Sequence, residues 1–264
     1  MADRMKPSRA TWCGSSALCL VLTAGCTATP VETPLASRSP GARIAVAIID
    51  DGSVAEESSW LDNYNVVQPE HGTPSDHTAQ VVSVVVGAGL SDALDSDAVG
   101  ISVLPVSLST QNQDGQLVAR LDEALLNGAD VVLVTVGARH DQAGICDRVD
   151  ALAADGAIVI AAAGNFPSLG ADYPARCDSA VSIGALDAPG VFASYSTRRQ
   201  VEFGMVVKGI KATDLSGDVS EPGGTSIAAA AAARTIIREL IERGTLMDEQ
   251  LLLLLEPLPN HTDN

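Results

Sequence analysis

Four short runs of the chain are almost continuously apolar: residues 42–49, 101–106, 131–136 and 157–162. Runs of this length, rich in valine and isoleucine, suit parallel strands covered on both faces. Between them, apolar residues recur at helical spacing. Leu117, Leu121, Ala124 and Leu125 share one face, with Gly128 as a stop, and Cys146, Val149, Leu152 and Ala153 share another, with Gly156 as a stop. This alternation predicts an α/β fold with a mostly parallel central sheet and helices on both faces. The stretch beginning at His77 is ambiguous. Its run of valines would suit a strand, whereas Ser75 or Asp76 would cap it as a helix. Further on, a helix is predicted from Ser226 to about Arg243, ended by Gly244, and a short one around Leu251–Leu255, stopped by Pro257. The leucines of the short helix read as a packing face, because Glu249, Glu256 and Pro257 flank them.

The first part of the chain follows a different pattern. Arg4, Lys6 and Arg9 give it a positive start, and the apolar stretch from Ala10 to Ala24 is too short for an ordinary membrane span. It ends in Leu22-Thr23-Ala24-Gly25-Cys26, which resembles a bacterial lipoprotein signal. That resemblance implies cleavage before Cys26, diacylation of Cys26, and a lipid-anchored place in the cell envelope; the alternative is an ordinary secretory signal and a secreted protein. Residues 1–25 are thus read as a signal peptide. Residues 26–41, rich in Thr, Pro and Ser, read as a tether, 42–256 as the folded domain and 257–264 as a tail.

Composition narrows the function classes. A formal charge of −17 and an aromatic share of 3% argue against a basic patch or stacking platform for nucleic acid. An acidic surface permits calcium, but no calcium loop is recognisable and no cofactor is expected. Cys146 and Cys177 are the cysteines that remain after the signal, and in an oxidising compartment they suggest one disulfide, with two buried thiols as the alternative.

The candidate chemistry sits where strands end and helices begin, as open α/β sheets favour. Asp50-Asp51-Gly52 closes the first strand, and an acid there can orient a histidine, although Asp-Gly is also ordinary turn chemistry. His77 opens the valine run and can serve as a general base. Asn165, after Ala161-Ala162-Ala163-Gly164, can donate to an oxyanion. Ser226 follows Gly223-Gly224-Thr225 at the head of a helix with alanines from 228 to 233, where a helix N-terminus favours a developing anion; a plain N-cap serine is the alternative.

In order and in local sequence, these segments resemble the subtilisin-like serine peptidases, the subtilases. Ile49-Asp50-Asp51-Gly52 is similar to the family's acid segment, Ala161–Asn165 to its oxyanion segment, and Gly224-Thr225-Ser226-Ile227-Ala228 to its serine segment. The resemblance implies a subtilisin-like fold and a serine endopeptidase acting on peptides or proteins, with Asp50, His77 and Ser226 as triad and Asn165 in the oxyanion hole. It also implies that Thr135, Val136 and Gly137, with Gly164, line the edge that holds an extended peptide, and it supports a Cys146–Cys177 bridge. Two histidines compete for the base. His71-Gly72-Thr73 has the family's letters, but the apolar run follows His77 in register, so His77 is expected. Thr78 stands where the family has glycine, and Ala230 where it has proline. A catalytically inactive peptide-binding lipoprotein on the same scaffold is the alternative function.

Overall fold

The computed structural model describes residues 34–37, 39, 41–55, 58–68, 72–91, 93–108, 112–141 and 144–258. The signal segment, Cys26, His71, most of the tether and residues 259–264 lie outside them. In chain order the elements are β1 (Ala36–Ser37), β2 (Ile44–Asp50), β3 (Val66–Val67), α1 (Asp76–Val86), β4 (Val99–Pro105), α2 (Gln113–Leu126), β5 (Val131–Val134), α3 (Ile145–Ala154) and β6 (Ile158–Ala162). There follow β7 (Ala180–Ala188), β8 (Val191–Phe192), β9 (Phe203–Val206), β10 (Ala212–Thr213), β11 (Val219–Ser220), α4 (Thr225–Arg243), β12 (Thr245–Leu246), α5 (Asp248–Leu254) and β13 (Glu256–Pro257).

The main sheet runs β13-β9-β7-β6-β5-β2-β4-β3, with β8 beside β7. Every pairing from β3 across to β9 is parallel; β13 on β9 and β8 on β7 are antiparallel. β2 lies centrally, with Val46 opposite both Ile101 of β4 and Val131 of β5. From β2 the chain first builds β3 and β4 on one side and then β5 to β9 on the other. Such a reversal of direction opens a crevice beyond the carboxyl ends of the strands, and Asp50 ends β2 there.

Strand alternation divides the core into two layers. Val46, Ile48, Val131, Leu133 and Ile160 face α1 and α4, packing on Val81, Val85, Ile227 and Ile236. Ala47, Ile49, Val132, Val134 and Val159 face the other way, onto Leu117 and Leu121 of α2 and Ile145, Val149 and Leu152 of α3. The helices thus cover both faces, as the sequence pattern predicts.

Tertiary context resolves the ambiguous valine run as helix. Ser75 is the N-cap of α1, its hydroxyl accepting the Thr78 amide at 3.4 Å, and Gly87 ends the helix with a φ of 72°. A helix lets Val81, Val82, Val84, Val85 and Val86 all be buried between the sheet and α4. The alanine stretch of α4 serves the same packing: Ala229, Ala230, Ala232 and Ala233 have no exposed surface, and their small side chains let α4 lie close to its neighbours. On the far side, Cys146 of α3 is disulfide-bonded to Cys177, closing a loop across a sequence separation of 31.

Candidate active site

The site grows from the carboxyl end of β2. Asp50 has no exposed surface, and its Oδ1 lies 3.0 Å from Nδ1 of His77. The same oxygen accepts the Asp51 amide at 2.7 Å. His77 is the second residue of α1, and its side chain is 39% exposed, so one ring nitrogen meets the acid while the ring still reaches solvent. The turn that carries the acid is laced to the start of α1. The Ser53 amide donates to the Thr73 carbonyl and the Ser75 amide to the Ser53 carbonyl, both at 2.9 Å. Gly52 is required by this closeness, because a Cβ there would lie 2.5 Å from the Ser75 Cβ and 2.6 Å from the Thr73 carbonyl.

Asp51 adds a second acid. Its Oδ1 accepts hydroxyl hydrogen bonds from Ser75 at 2.8 Å and Thr78 at 3.2 Å, and it lies 3.8 Å from Nδ1 of His77. Thr78, the departure from the family's glycine, is fully buried and is occupied in this latch. The three groups Asp50, Asp51 and His77 bring potential ligand atoms within 4.8 Å of one another. The hydrogen bond to Asp50 needs the proton on Nδ1, so that nitrogen cannot also bind a cation.

Burial acts to lower the pKa of His77. The hydrogen bond to Asp50, with the charges of Asp50 and Asp51, outweighs burial and raises the pKa above the usual 6.5. A raised histidine pKa contributes stability that is fully present below the unfolded value near 6.5 and is lost as pH rises through the folded value. Activity that needs neutral imidazole runs the other way. We expect the acid limb of kcat/KM to have its midpoint above 6.5, and Asp51→Asn to move it to lower pH. A pH–rate profile of both proteins checks this, and a limb that Asp51→Asn leaves in place would remove Asp51 from the site.

Ser226 is the second residue of α4 and is 5% exposed. The N-cap position belongs to Gly224, whose φ of 122° suits glycine, and the Ser226 hydroxyl makes no hydrogen bond among the described residues. The simple capping role is therefore absent. The Thr225 amide is instead satisfied by the side chain of Asn165, whose Oδ1 accepts from the Thr225 amide at 3.0 Å and hydroxyl at 3.2 Å. Thr225 Oγ1 also accepts the Gly164 amide at 3.1 Å, and the Tyr195 hydroxyl accepts the Gly224 amide at 2.9 Å. These bonds tie the oxyanion segment to the serine segment, and they commit the Asn165 oxygen so that Nδ2 remains as a donor. Tyr195 carries no local signal that could have disclosed this part. Although α1 packs on α4, no hydrogen bond joins His77 to Ser226 among the described residues. Catalytic contacts are often long before substrate binds.

Residues 135–137 do not continue β5, which ends at Val134, whereas the sequence pattern predicts strand to 136. Thr135 still bonds the Ile49 carbonyl through its amide at 3.1 Å and its hydroxyl at 3.2 Å, and the Gly137 carbonyl accepts from Gln113 Nε2 at 3.3 Å. Val136 is buried, Thr135 and Gly137 are half-buried, and Gly164 lies just past the neighbouring strand β6. Between the two glycines lies a carboxylate that sequence reasoning missed. A Cβ on Gly164 would come within 2.8 Å of Asp172 Oδ2, and one on Gly137 within 2.7 Å of Asp172 Cβ. Asp172 forms an ion pair with Arg139.

A profile of the subtilase family matches residues 41–248. Subtilisin DY of Bacillus licheniformis is 29% identical over 180 residues, covering 60% of this chain and 61% of that protein. The minor extracellular protease Epr of Bacillus subtilis (strain 168) is 28% identical over 201 residues, covering 73% of this chain and 31% of that protein. The chain therefore spans about three fifths of the first and a third of the second. Among solved structures, the prenylagaramide maturation protease PagA superposes with a TM-score of 0.66 at 21% identity, covering 81% of each chain. At that identity the likeness concerns the fold, a mostly parallel sheet between helices.

Proposed function

The chain belongs to the subtilase family, and from that premise we propose that it is a serine endopeptidase working through Asp50, His77 and Ser226. The observation that carries this reading is the 3.0 Å contact between the buried Asp50 carboxylate and His77 Nδ1. It fixes the tautomer that leaves Nε2 free to accept a proton. In the proposed reaction His77 takes the Ser226 hydroxyl proton as the oxygen attacks a peptide carbonyl. Asn165 Nδ2 and the Ser226 amide stabilise the tetrahedral oxyanion, helped by the positive end of α4. His77 then protonates the leaving amine, and water releases the acyl-enzyme. Thr135, Val136 and Gly137 offer the edge on which an extended peptide lies, with Gly164 beside the scissile bond.

A digest of a peptide library, read by mass spectrometry, tests the function. New termini are expected with the purified protein. A folded protein that binds peptides and releases no new termini would contradict the endopeptidase and favour a binding role on the same scaffold.

We also propose export, on the positive start and apolar stretch that end at Cys26, and lipid anchoring through Cys26. The relative Epr is named an extracellular protease. Cys26→Ala should move the protein from the membrane fraction to the soluble one. Retention on the membrane by that variant would sink the anchor.

A further inference from the structure

Asp172 is a titratable side chain at the site that the proposed mechanism leaves unused. Its side chain is 12% exposed, and it is held from both directions along the chain. The Asp172 amide donates to the Ala163 carbonyl at 3.1 Å, and the next residue, Tyr173, exchanges two backbone hydrogen bonds of 2.8 Å with Ala138. The carboxylate therefore has a fixed place, against Gly137 on the one side and Gly164 on the other. Neither neighbour has a side chain to cover it.

That place has a simple relation to the chemistry. Gly164 directly precedes Asn165, the proposed oxyanion donor. A peptide whose scissile carbonyl points at Asn165 has its acyl-side Cα one bond from that carbonyl. The side chain on that Cα then starts beside Gly164, and Asp172 Oδ2 lies against that glycine, 2.8 Å from where its Cβ would be, so the carboxylate is the nearest charge such a side chain meets.

The group that fits there is a cation, because one already occupies the position. Arg139 folds back from the end of the peptide-binding edge and pairs its guanidinium with Asp172 Oδ1. The Arg139 side chain is 45% exposed against 12% for Asp172, so the cation is the more accessible member of the pair. Burial raises the pKa of Asp172 even though the charges of Arg139 and Arg176 act to lower it. Arg139 thus does not offset the burial of the carboxylate, which leaves a better-placed cation something to gain by replacing it. The chain's formal charge of −17 favours encounter with basic peptides for the same reason.

We propose that Asp172 selects peptides with arginine or lysine on the acyl side of the cleaved bond, and that Arg139 holds this place until the substrate side chain displaces it. The inference rests on the serine endopeptidase reading. A pair of peptidyl diphenyl phosphonates, identical except for arginine or leucine at the acyl-side position, tests it. In each, Ser226 Oγ displaces one phenoxide from phosphorus, His77 accepting the serine proton and passing it to the leaving phenoxide. The wild-type protein is expected to react at least about tenfold faster with the arginine probe, the size of one charge-assisted hydrogen bond. Asp172→Asn should bring the ratio near one, and Arg139→Gln should raise it. A wild-type preference for leucine, or a ratio that Asp172→Asn leaves unchanged, would overturn the proposal. A small fluorophosphonate without a peptide separates the two levels of failure. If it does not label the wild-type protein, the hydrolase reading fails; if it labels and the probe ratio is flat, only the role of Asp172 fails. Should Asp172→Asn not fold, Arg139→Gln decides alone, since an unchanged or lower ratio in that variant contradicts displacement.

Discussion

Ser226→Ala will lower kcat for peptide hydrolysis by roughly 10⁴–10⁶-fold and leave KM nearly unchanged. The hydroxyl is expected to supply the bond-forming electrons. The variant should fold normally. Ser226 does not cap α4, its hydroxyl makes no hydrogen bond among the described residues, and alanine suits a helix. Peptide binding along residues 135–137 should survive, because those groups are untouched. The remaining rate would come from Asn165, the helix terminus and the positioning of substrate. A Ser226→Ala protein that turns over peptide at the wild-type rate would show that another residue is the nucleophile.

Asp50→Asn is expected to cost about 10⁴-fold in kcat. Asp50 has no exposed surface, and its Oδ1 serves both His77 and the Asp51 amide. Asparagine keeps the shape, but the atom that meets Nδ1 also faces the Asp51 amide, so an NH₂ placed there gives up that bond while the Ser53 and Ser75 backbone bonds still hold the turn. What changes is the tautomer of His77. An amide NH₂ facing Nδ1 forces the ring proton onto Nε2, and the base can no longer accept the serine proton. The loss of charge also removes the main influence raising the histidine pKa, so any residual activity should have its acid limb at lower pH than wild type. Steady-state kinetics and titration of His77 by NMR read both effects. A variant with full activity would transfer the orienting role to Asp51.

Much of this framework is visible in the sequence because it rests on local pattern. The strands β2, β5 and β6 are nearly continuous apolar runs, β4 is one from Ile101 with Ser102 inside it, and the helices between them repeat at helical spacing. β7 is harder to see, since Ser182 and Gly184 interrupt it. Both have distant reasons: the Ser182 hydroxyl accepts the Glu202 amide at 2.8 Å, and a Cβ on Gly184 would press on Phe192 and Val201 at 3.1 Å. The valine run of α1 has strand propensity by itself, and only the Ser75 cap and the packing on α4 make it a helix. At the site, Asp50, His77, Asn165 and Ser226 stand at element ends, where motif and position coincide. The parts played by Tyr195, Asp51 and Asp172 are not legible in that way. Each acts through a contact with another segment, such as the pairing of Asp172 with Arg139, 33 residues away in sequence. No periodicity records such a contact.

The most direct measurement is fluorophosphonate labelling of the folded, purified protein, with the modified residue located by peptide mass spectrometry. An activated nucleophile at the head of α4 predicts a single adduct on the peptide carrying Ser226, lost in Ser226→Ala and strongly slowed in Asp50→Asn. Folded protein that gains no adduct, or gains it on another residue, would contradict the proposed triad.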